Sequence, residues 1–225
     1  MLFVKEFNYP AERICLGQYA LEGGQIERNI LQSRSDQRDV LRQKFGLKAD
    51  DVVFLMVANM LPTRHYPITS SAFIRFAAQH PGVKFVMVGK GNDLGQMQDR
   101  AKSHPELVIV PGVSFAEMQE LYALADVYVH GGKEPASSAL VIGAIAHLPV
   151  MSSPAVGCTA DVVRDGETGV LVKDYLNEDE WVAGFERMWA NRAMWKEYGE
   201  KARELSRELD CENVVGKFVE RVGGG

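Results

Sequence analysis

Four short segments of this 225-residue chain hold the residue types from which a binding or reaction site could be built. The richest is His130-Gly131-Gly132-Lys133-Glu134-Pro135-Ala136-Ser137-Ser138. A glycine turn followed by small residues at a helix start lets an anion approach backbone N–H groups that lack a partner inside the helix. The N–H groups of Ala136 to Ala139 would face a phosphate, and Lys133 would add a positive charge. Glu134, at the mouth of the loop, would accept hydrogen bonds from ligand hydroxyls. The same residues also suit a tight strand-to-helix turn closed by an N-cap, and Glu134 also suits simple pairing with the helix dipole. His130 is open to three roles: general acid, pocket hydrogen-bonding group or structural side chain.

The other segments are Asn59-Met60-Leu61-Pro62-Thr63-Arg64-His65, Gly89-Lys90-Gly91-Asn92 and Ser152-Ser153-Pro154-Ala155-Val156-Gly157. Arg64 and Lys90 are candidate phosphate partners by position, although lone basic residues in loops also serve only to face solvent. Structural or surface roles are expected for His65, His80, His104 and His147. Cys15, Cys158 and Cys211 lack the CxxC spacing of a zinc site, so they read as reduced packing thiols and no metal site is expected.

What must position these segments is a run of short apolar stretches alternating with longer amphipathic ones, the pattern of βαβ units around a parallel sheet. Strands are expected at 51–58, 83–89, 107–112, 126–132, 148–153 and 169–172. Helices are expected at 69–80, 93–103, 115–125, 137–147 and 160–164, then 178–190, 193–209 and 211–222. Ser114 with Glu117 has the spacing of a capping box at the start of the 115–125 helix. The four chemistry-bearing segments all follow strands, which is where ligands bind in open doubly wound sheets. The fold class is therefore α/β, a Rossmann-like doubly wound parallel sheet of six strands with helices on both faces. Residues 1–48 read as a lead-in or interdomain segment, with a charged stretch over 25–48 whose later part is helical in pattern, 49–176 as the core of the domain and 177–225 as C-terminal helices packing on it.

Composition narrows the function classes. With 25 Lys+Arg against 30 Asp+Glu the formal charge is −5, so no basic excess exists for a nucleic-acid partner. At 46% hydrophobic and 24% charged residues the chain has the material of an ordinary folded core. No apolar run approaches the ~20 residues of a membrane-spanning helix, and the N-terminus turns charged too soon for a signal peptide. A cytoplasmic location is expected, or one peripheral to a membrane through a further domain.

Several stretches together resemble a known family. KFVMVGKGN, VIVPGVSFAEMQELYALADVYVHGGKEP and PVMSSPAVGCTADVVRDGETGVLV are similar to the C-terminal, nucleotide-sugar-binding half of GT-B glycosyltransferases, above all the large retaining family 4 (group 1). YPAERICLGQY resembles the segment that ends the N-terminal half in that family. The resemblance runs from about Pro10 to Leu209. It implies a domain that binds a UDP- or GDP-sugar and passes the sugar to a sugar, lipid-linked or polysaccharide acceptor with retention, without a required metal or cofactor. It also implies an acceptor half elsewhere, in the same full-length protein or as a partner chain.

Carried onto this sequence, the resemblance makes Glu134 the catalytic carboxylate, touching donor-sugar hydroxyls. The donor would contact Asn59 and Arg64 after the first strand, Gly89 and Gly91 after the second, and Gly112 and Val113 near the base. It would also meet Lys133, Ala136, Ser137 and Ser138 at the phosphates, Gly157 beside the sugar and diphosphate, and position 142. Two departures from the pattern stand out. Ala58-Asn59-Met60 and Arg64-His65 replace a Gly-Arg-Leu and a Lys-Gly, and Ile142 stands where relatives place a second glutamate for the ribose. The alternative these departures raise is a non-catalytic interaction module.

Overall fold

Residues 52–57 read Val-Val-Phe-Leu-Met-Val, and a strand without a polar side chain has to be covered on both faces. The computed structural model, which describes residues 20–223, meets that requirement with two helical layers. Expectations placed on residues 1–19, the thiol of Cys15 and the YPAERICLGQY segment among them, lie outside the described residues.

In chain order the main elements are α1 (Gly23–Lys44), β1 (Val52–Val57), α2 (Tyr66–Ala77), β2 (Val83–Gly89), α3 (Leu94–Ala101), β3 (Leu107–Pro111), α4 (Phe115–Leu124), β4 (Val127–His130), α5 (Ser138–Ile145), β5 (Val150–Ser152), α6 (Thr159–Val162), β6 (Gly169–Leu171), α7 (Glu178–Ala190), α8 (Trp195–Ser206) and α9 (Cys211–Gly223). The sheet has six parallel strands in the order β3-β2-β1-β4-β5-β6. β1 pairs with β2 from Val52–Val83 to Val57–Val88, and with β4 through Phe54–Val127 and Leu55–Tyr128.

Alternation along β1 divides the core. Val53, Leu55 and Val57 face one apolar cluster with Ile26 and Ile30 of α1, Leu121 of α4, Leu140 of α5 and Ala202 of α8. Phe54 and Met56 face the other, with Phe73 and Phe76 of α2, Met97 of α3, and Trp181, Phe185 and Met188 of α7. Phe54 meets Phe73, Phe76 and Phe185 edge-on, with centroids 5.4, 5.8 and 5.6 Å apart, the arrangement that ring quadrupoles favour. Helices thus lie on both faces, the doubly wound arrangement that the alternating pattern implies.

The segment before residue 49 contributes more than a lead-in. Gly23–Lys44 is one continuous helix laid on the α4 and α5 side, burying Ile26, Ile30 and Leu41. Three of its arginines, Arg34, Arg38 and Arg42, recur every fourth residue and therefore share a face. Arg34 donates to the carbonyls of Tyr122, Ala123 and Ala146, Arg38 to that of Ala125, and Arg42 to that of Leu124. These carbonyls close α4 and α5, where a cation offsets the negative end of the helix dipole.

Other boundaries move for local reasons. The second helix starts at Tyr66, three residues before the expected start at 69, because Pro67 suits a first helical turn and His65 enters the left-handed region (φ 52°) to turn the chain into it. The capping box forms as spaced: Glu117 N–H donates to Ser114 Oγ at 3.3 Å and Ser114 N–H to Glu117 Oε2 at 2.9 Å. Among the described residues no helix is long and apolar enough to cross a membrane.

The consequence for a site follows from strand order. β1 lies between β2 and β4, so the chain leaves the ends of β1 and β4 toward opposite sides of the sheet and opens a crevice there. The segments 58–65 and 131–138 face each other across it.

Candidate functional site

Arg64 closes the short 3-10 turn Pro62–Arg64 after β1, and Glu134 follows the glycine pair after β4. Far apart in sequence, they meet at the crevice: Arg64 Nη2 lies 2.5 Å from Glu134 Oε2, and Arg64 Nη1 donates to the Lys133 carbonyl at 2.8 Å. Lys133 N–H returns a bond to the Thr63 carbonyl at 2.8 Å, so the two loops are tied by backbone as well as by charge. Gly132 permits this closeness, because a Cβ there would stand 2.8 Å from Arg64 Cα.

The other carboxylate oxygen of Glu134 lies 2.5 Å from Nε2 of His130, the fully buried last residue of β4. That approach is short but oblique, without a straight N–H···O line, so it acts as a close electrostatic contact. Burial pushes the Glu134 carboxyl up, but the His130 and Arg64 contacts outweigh it and hold the group below its ordinary value. Glu134 is therefore an ionised acceptor at neutral pH.

Behind it, Ser137 caps α5, its Oγ accepting from Leu140 N–H at 3.3 Å. Ser137 N–H is engaged by Cys158 Sγ at 3.4 Å, and Cys158 donates back to the Ser137 carbonyl at the same distance. The expected cradle of Ala136 to Ala139 accordingly loses the Ser137 N–H and keeps those of Ala136, Ser138 and Ala139, which have no acceptor among the described residues. Lys133 and Ser138 are exposed and Ala136 half-buried at the mouth.

The loop after β5 packs beneath. Gly157 N–H donates to the Glu134 carbonyl at 2.9 Å, Glu134 N–H donates to the Ala155 carbonyl at 3.3 Å, and Ser153 Oγ donates to the Gly132 carbonyl at 3.3 Å. Beside the crevice, Gly89 and Gly91 let the turn after β2 press on the one after β1. A Cβ on Gly89 would sit 1.9 Å from the Ala58 carbonyl oxygen, and one on Gly91 2.5 Å from that of Met60. The Lys90 side chain lies across Gly112, and Val113 packs half-buried against the core. Asn59 is exposed.

Ile142 behaves differently from the rest. It is 2% exposed in the apolar cluster on the inner side of α5, where it offers packing surface and no polar atom. Among the described residues no three His, Cys, Asp or Glu side chains gather as a metal site. For Cys158, burial pushes the thiol up to about 11, the direction of an inert packing residue. In native protein at pH 8, iodoacetamide followed by peptide mass mapping should leave Cys158 unmodified, and the same treatment in denaturant should label it. Rapid native labelling would mean that the α5 cap opens.

The contacts that residue types alone did not reveal are those of His130 and Cys158. His130 carries a usable signal in retrospect, standing at a strand end four residues before a carboxylate. The sulfur link to Ser137 joins two loops through the fold and has no local signature.

Residues 37–205 match the family described as Glycosyl transferases group 1. Alpha-monoglucosyldiacylglycerol synthase of Acholeplasma laidlawii is 26% identical over 65% of this chain and 36% of its own length. D-inositol 3-phosphate glycosyltransferase of Rhodococcus erythropolis is 26% identical over 85% of this chain and 46% of its own. The chain thus spans about half, or less, of the curated relatives it matches. Among solved structures, a glycosyltransferase from Rickettsia africae superposes with a TM-score of 0.79 at 14% identity, covering 100% of this chain and 62% of that one. Alr3699/HepE of Anabaena in complex with UDP gives 0.74 at 17% identity, over 92% and 56%. At such identities the structural likeness speaks for the fold.

Proposed function

This chain belongs to the group 1 glycosyl transferases, and from that premise we propose that it is the domain that binds a nucleoside diphosphate sugar and presents the sugar for transfer with retention. The observation that carries the reading is the cluster at the crevice: an ionised Glu134 held between Arg64 and His130, next to the open first turn of α5. A carboxylate that accepts from hydroxyls lies there beside donors suited to a diphosphate, the two chemistries a sugar nucleotide needs. The UDP complex of the similarly folded HepE supports the choice of ligand.

In this reading the diphosphate sits over Ser138 and Ala139 N–H, with Arg64 turning from Glu134 to a phosphate oxygen and Lys133 adding charge from the rim. Transfer proceeds as the bond from the anomeric carbon to the diphosphate breaks and an acceptor hydroxyl attacks, its proton passing to the departing diphosphate. The protein's largest contribution is stabilising the negative charge that grows on the leaving diphosphate. Glu134 accepts from sugar hydroxyls and fixes the ring, Gly157 leaves room beside it, and the Gly112 and Val113 backbone lies where the base would rest. The acceptor pocket and the opposing wall of the cleft are assigned to the further length that curated relatives possess, as another part of the protein or as a partner chain.

No carboxylate lies between Glu134 and Asp161 in the sequence, so the ribose has no acidic partner on α5. Each missing charge-assisted bond weakens nucleotide binding by about 1.5–3 kcal/mol, which places the expected affinity in the micromolar-to-millimolar range. Calorimetric titration with UDP, GDP and ADP tests the proposal, and one of the three should bind. Glu134→Gln should keep or raise affinity for the bare nucleotide, because Arg64 is released, while losing about tenfold in affinity for the matching sugar nucleotide, equivalent to ~1.4 kcal/mol. A chain that binds none of the three at millimolar concentration would refute the assignment.

A further inference from the structure

Glu134 leaves β4 on an irregular segment, where no helix or strand sets its side chain. Its side chain meets two partners, Arg64 and His130, and they differ in one respect. Arg64, assigned above to the diphosphate, must turn away when a donor arrives. His130 is 0% exposed and cannot follow a ligand.

The His130 ring is clamped from behind. It stacks on Tyr128 at 6.3 Å and 22°, and Tyr128 stacks on Tyr122 at 5.6 Å and 24°. The Tyr128 hydroxyl donates to the Val57 carbonyl at 3.2 Å and lies 3.3 Å from His130 Nδ1, while the Tyr122 hydroxyl donates to the Ala139 carbonyl at 2.7 Å. The stack therefore ties the ring to the ends of β1 and α5, the two elements that border the crevice.

Proton inventory fixes the tautomer. The carboxylate oxygen 2.5 Å from Nε2 is ionised and can only accept, so Nε2 carries a hydrogen. Nδ1 faces the Tyr128 hydroxyl, whose single hydrogen goes either to the Val57 carbonyl or to Nδ1. We propose that His130 is the positioning residue for Glu134: its Nε2–H, backed by Tyr128 and Tyr122, keeps the carboxylate aimed into the crevice when Arg64 turns to the diphosphate. The effect on sugar binding rests on the donor reading above, whereas the Nε2 protonation and its coupling to Glu134 do not.

Two measurements separate them. The first is nitrogen NMR of the histidine-labelled full chain, without ligand. His130 should show a protonated Nε2 whose resonance moves in Glu134→Gln, and a resonance indifferent to that change overturns the proposal. The second compares UDP with UDP-glucose, and GDP with GDP-mannose, by calorimetry. His130→Leu should lower the sugar-nucleotide to nucleotide affinity ratio about tenfold while leaving bare nucleotide binding intact. His130→Gln, which keeps an N–H near the Nε2 position, should recover most of the ratio. In a Glu134→Gln background the Leu change should add almost nothing, as expected of two groups acting as a unit.

A His130→Leu chain with an unaltered ratio overturns the positioning role. Should that variant fail to fold, the Gln variant and the ring resonance decide the matter. A wild type silent to all nucleotides removes the donor reading alone, and the ring resonance then decides for or against the His130–Glu134 coupling.

Discussion

Arg42→Met should lower the melting temperature of this domain by about 6–12 °C. Five hydrogen bonds leave the Arg42 guanidinium. They run to the Leu124 carbonyl twice, at 3.2 and 3.1 Å, to the Ala49 and Asp51 carbonyls at 2.7 and 2.9 Å, and to Asp126 Oδ2 at 2.9 Å. Its side chain is only 4% exposed, so water cannot replace those partners without opening the packing of α1. Methionine keeps the volume of the stem and removes the charge. It leaves carbonyls at the end of α4 and before β1 unpaired, and Asp126 with one cation fewer.

Breaking a buried pair by deleting one partner costs about 3–5 kcal/mol. Asp126 retains Arg38 and the Val53 N–H, which places the estimate at the lower end, near 3 kcal/mol. For a domain of this size each kcal/mol moves the melting point by about 2–4 °C. Arg38→Met, at a position whose side chain is 32% exposed, should cost markedly less. Circular dichroism melts of the two variants beside wild type check both statements. A fall under about 2 °C for Arg42→Met would mean that α1 is dispensable to the core.

The contrast between α1 and the strands shows which structure a single sequence exposes. The strand at 83–89 is legible to the residue because a strand buried on both faces must be apolar throughout, and Val83–Gly89 is interrupted only by Lys84 near its start. α1 is read as a charged lead-in because its buried surface is partly guanidinium. Arg34, Arg38 and Arg42 occupy the helix face that apolar residues would normally mark, and only the ends of α4 and α5, distant in sequence, explain them. Periodicity that counts only apolar residues misses a helix face built to bind carbonyls.

The site divides along the same line. Arg64 and Glu134 are each legible as candidates because both follow strands. Their pairing is not, since it depends on β1 and β4 being neighbours, a fact of sheet order that enters only with the fold. Ser137 and Ser138 are legible as a helix start, but the engagement of the Ser137 N–H by Cys158 needs the loop after β5 brought alongside. Ile142 is legible as a departure, and the structure adds that its position on α5 faces the apolar core.

Gly157→Ala should disturb both stability and sugar recognition, and the reason differs from the one its place near a ligand suggests. A Cβ built on Gly157 would stand 1.7 Å from the Pro135 carbonyl oxygen and 2.7 Å from its carbon. Both are backbone atoms, so no rotamer change relieves the overlap. The loops must part by more than about 1 Å to restore van der Waals separation. What parts is the bridge between Glu134 and Val156, with its bonds from Gly157 N–H to the Glu134 carbonyl and from Glu134 N–H to the Ala155 carbonyl. Overpacking of this kind costs about 1–3 kcal/mol, a fall of about 2–12 °C in melting temperature.

Because the displaced backbone is that of Glu134, the carboxylate moves with it. A shift of about 1 Å at a positioning group is enough to lower turnover by around 10²-fold, so under the proposed donor-binding function the loss of sugar-nucleotide recognition should far exceed what the melting shift accounts for. Gly95→Ala supplies the control within the same chain. Gly95 lies in α3 with nothing within 4 Å of its would-be Cβ, and it lacks the positive φ that would strain an alanine. There alanine should stabilise by about 0.5–1 kcal/mol through helix propensity. The same methyl group should therefore raise the melting point at 95 and lower it at 157, and only the change at 157 should reach the sugar. Equal shifts at both positions would mean that the Glu134–Val156 bridge yields freely, and would leave His130 and Arg64 as the only constraints on Glu134.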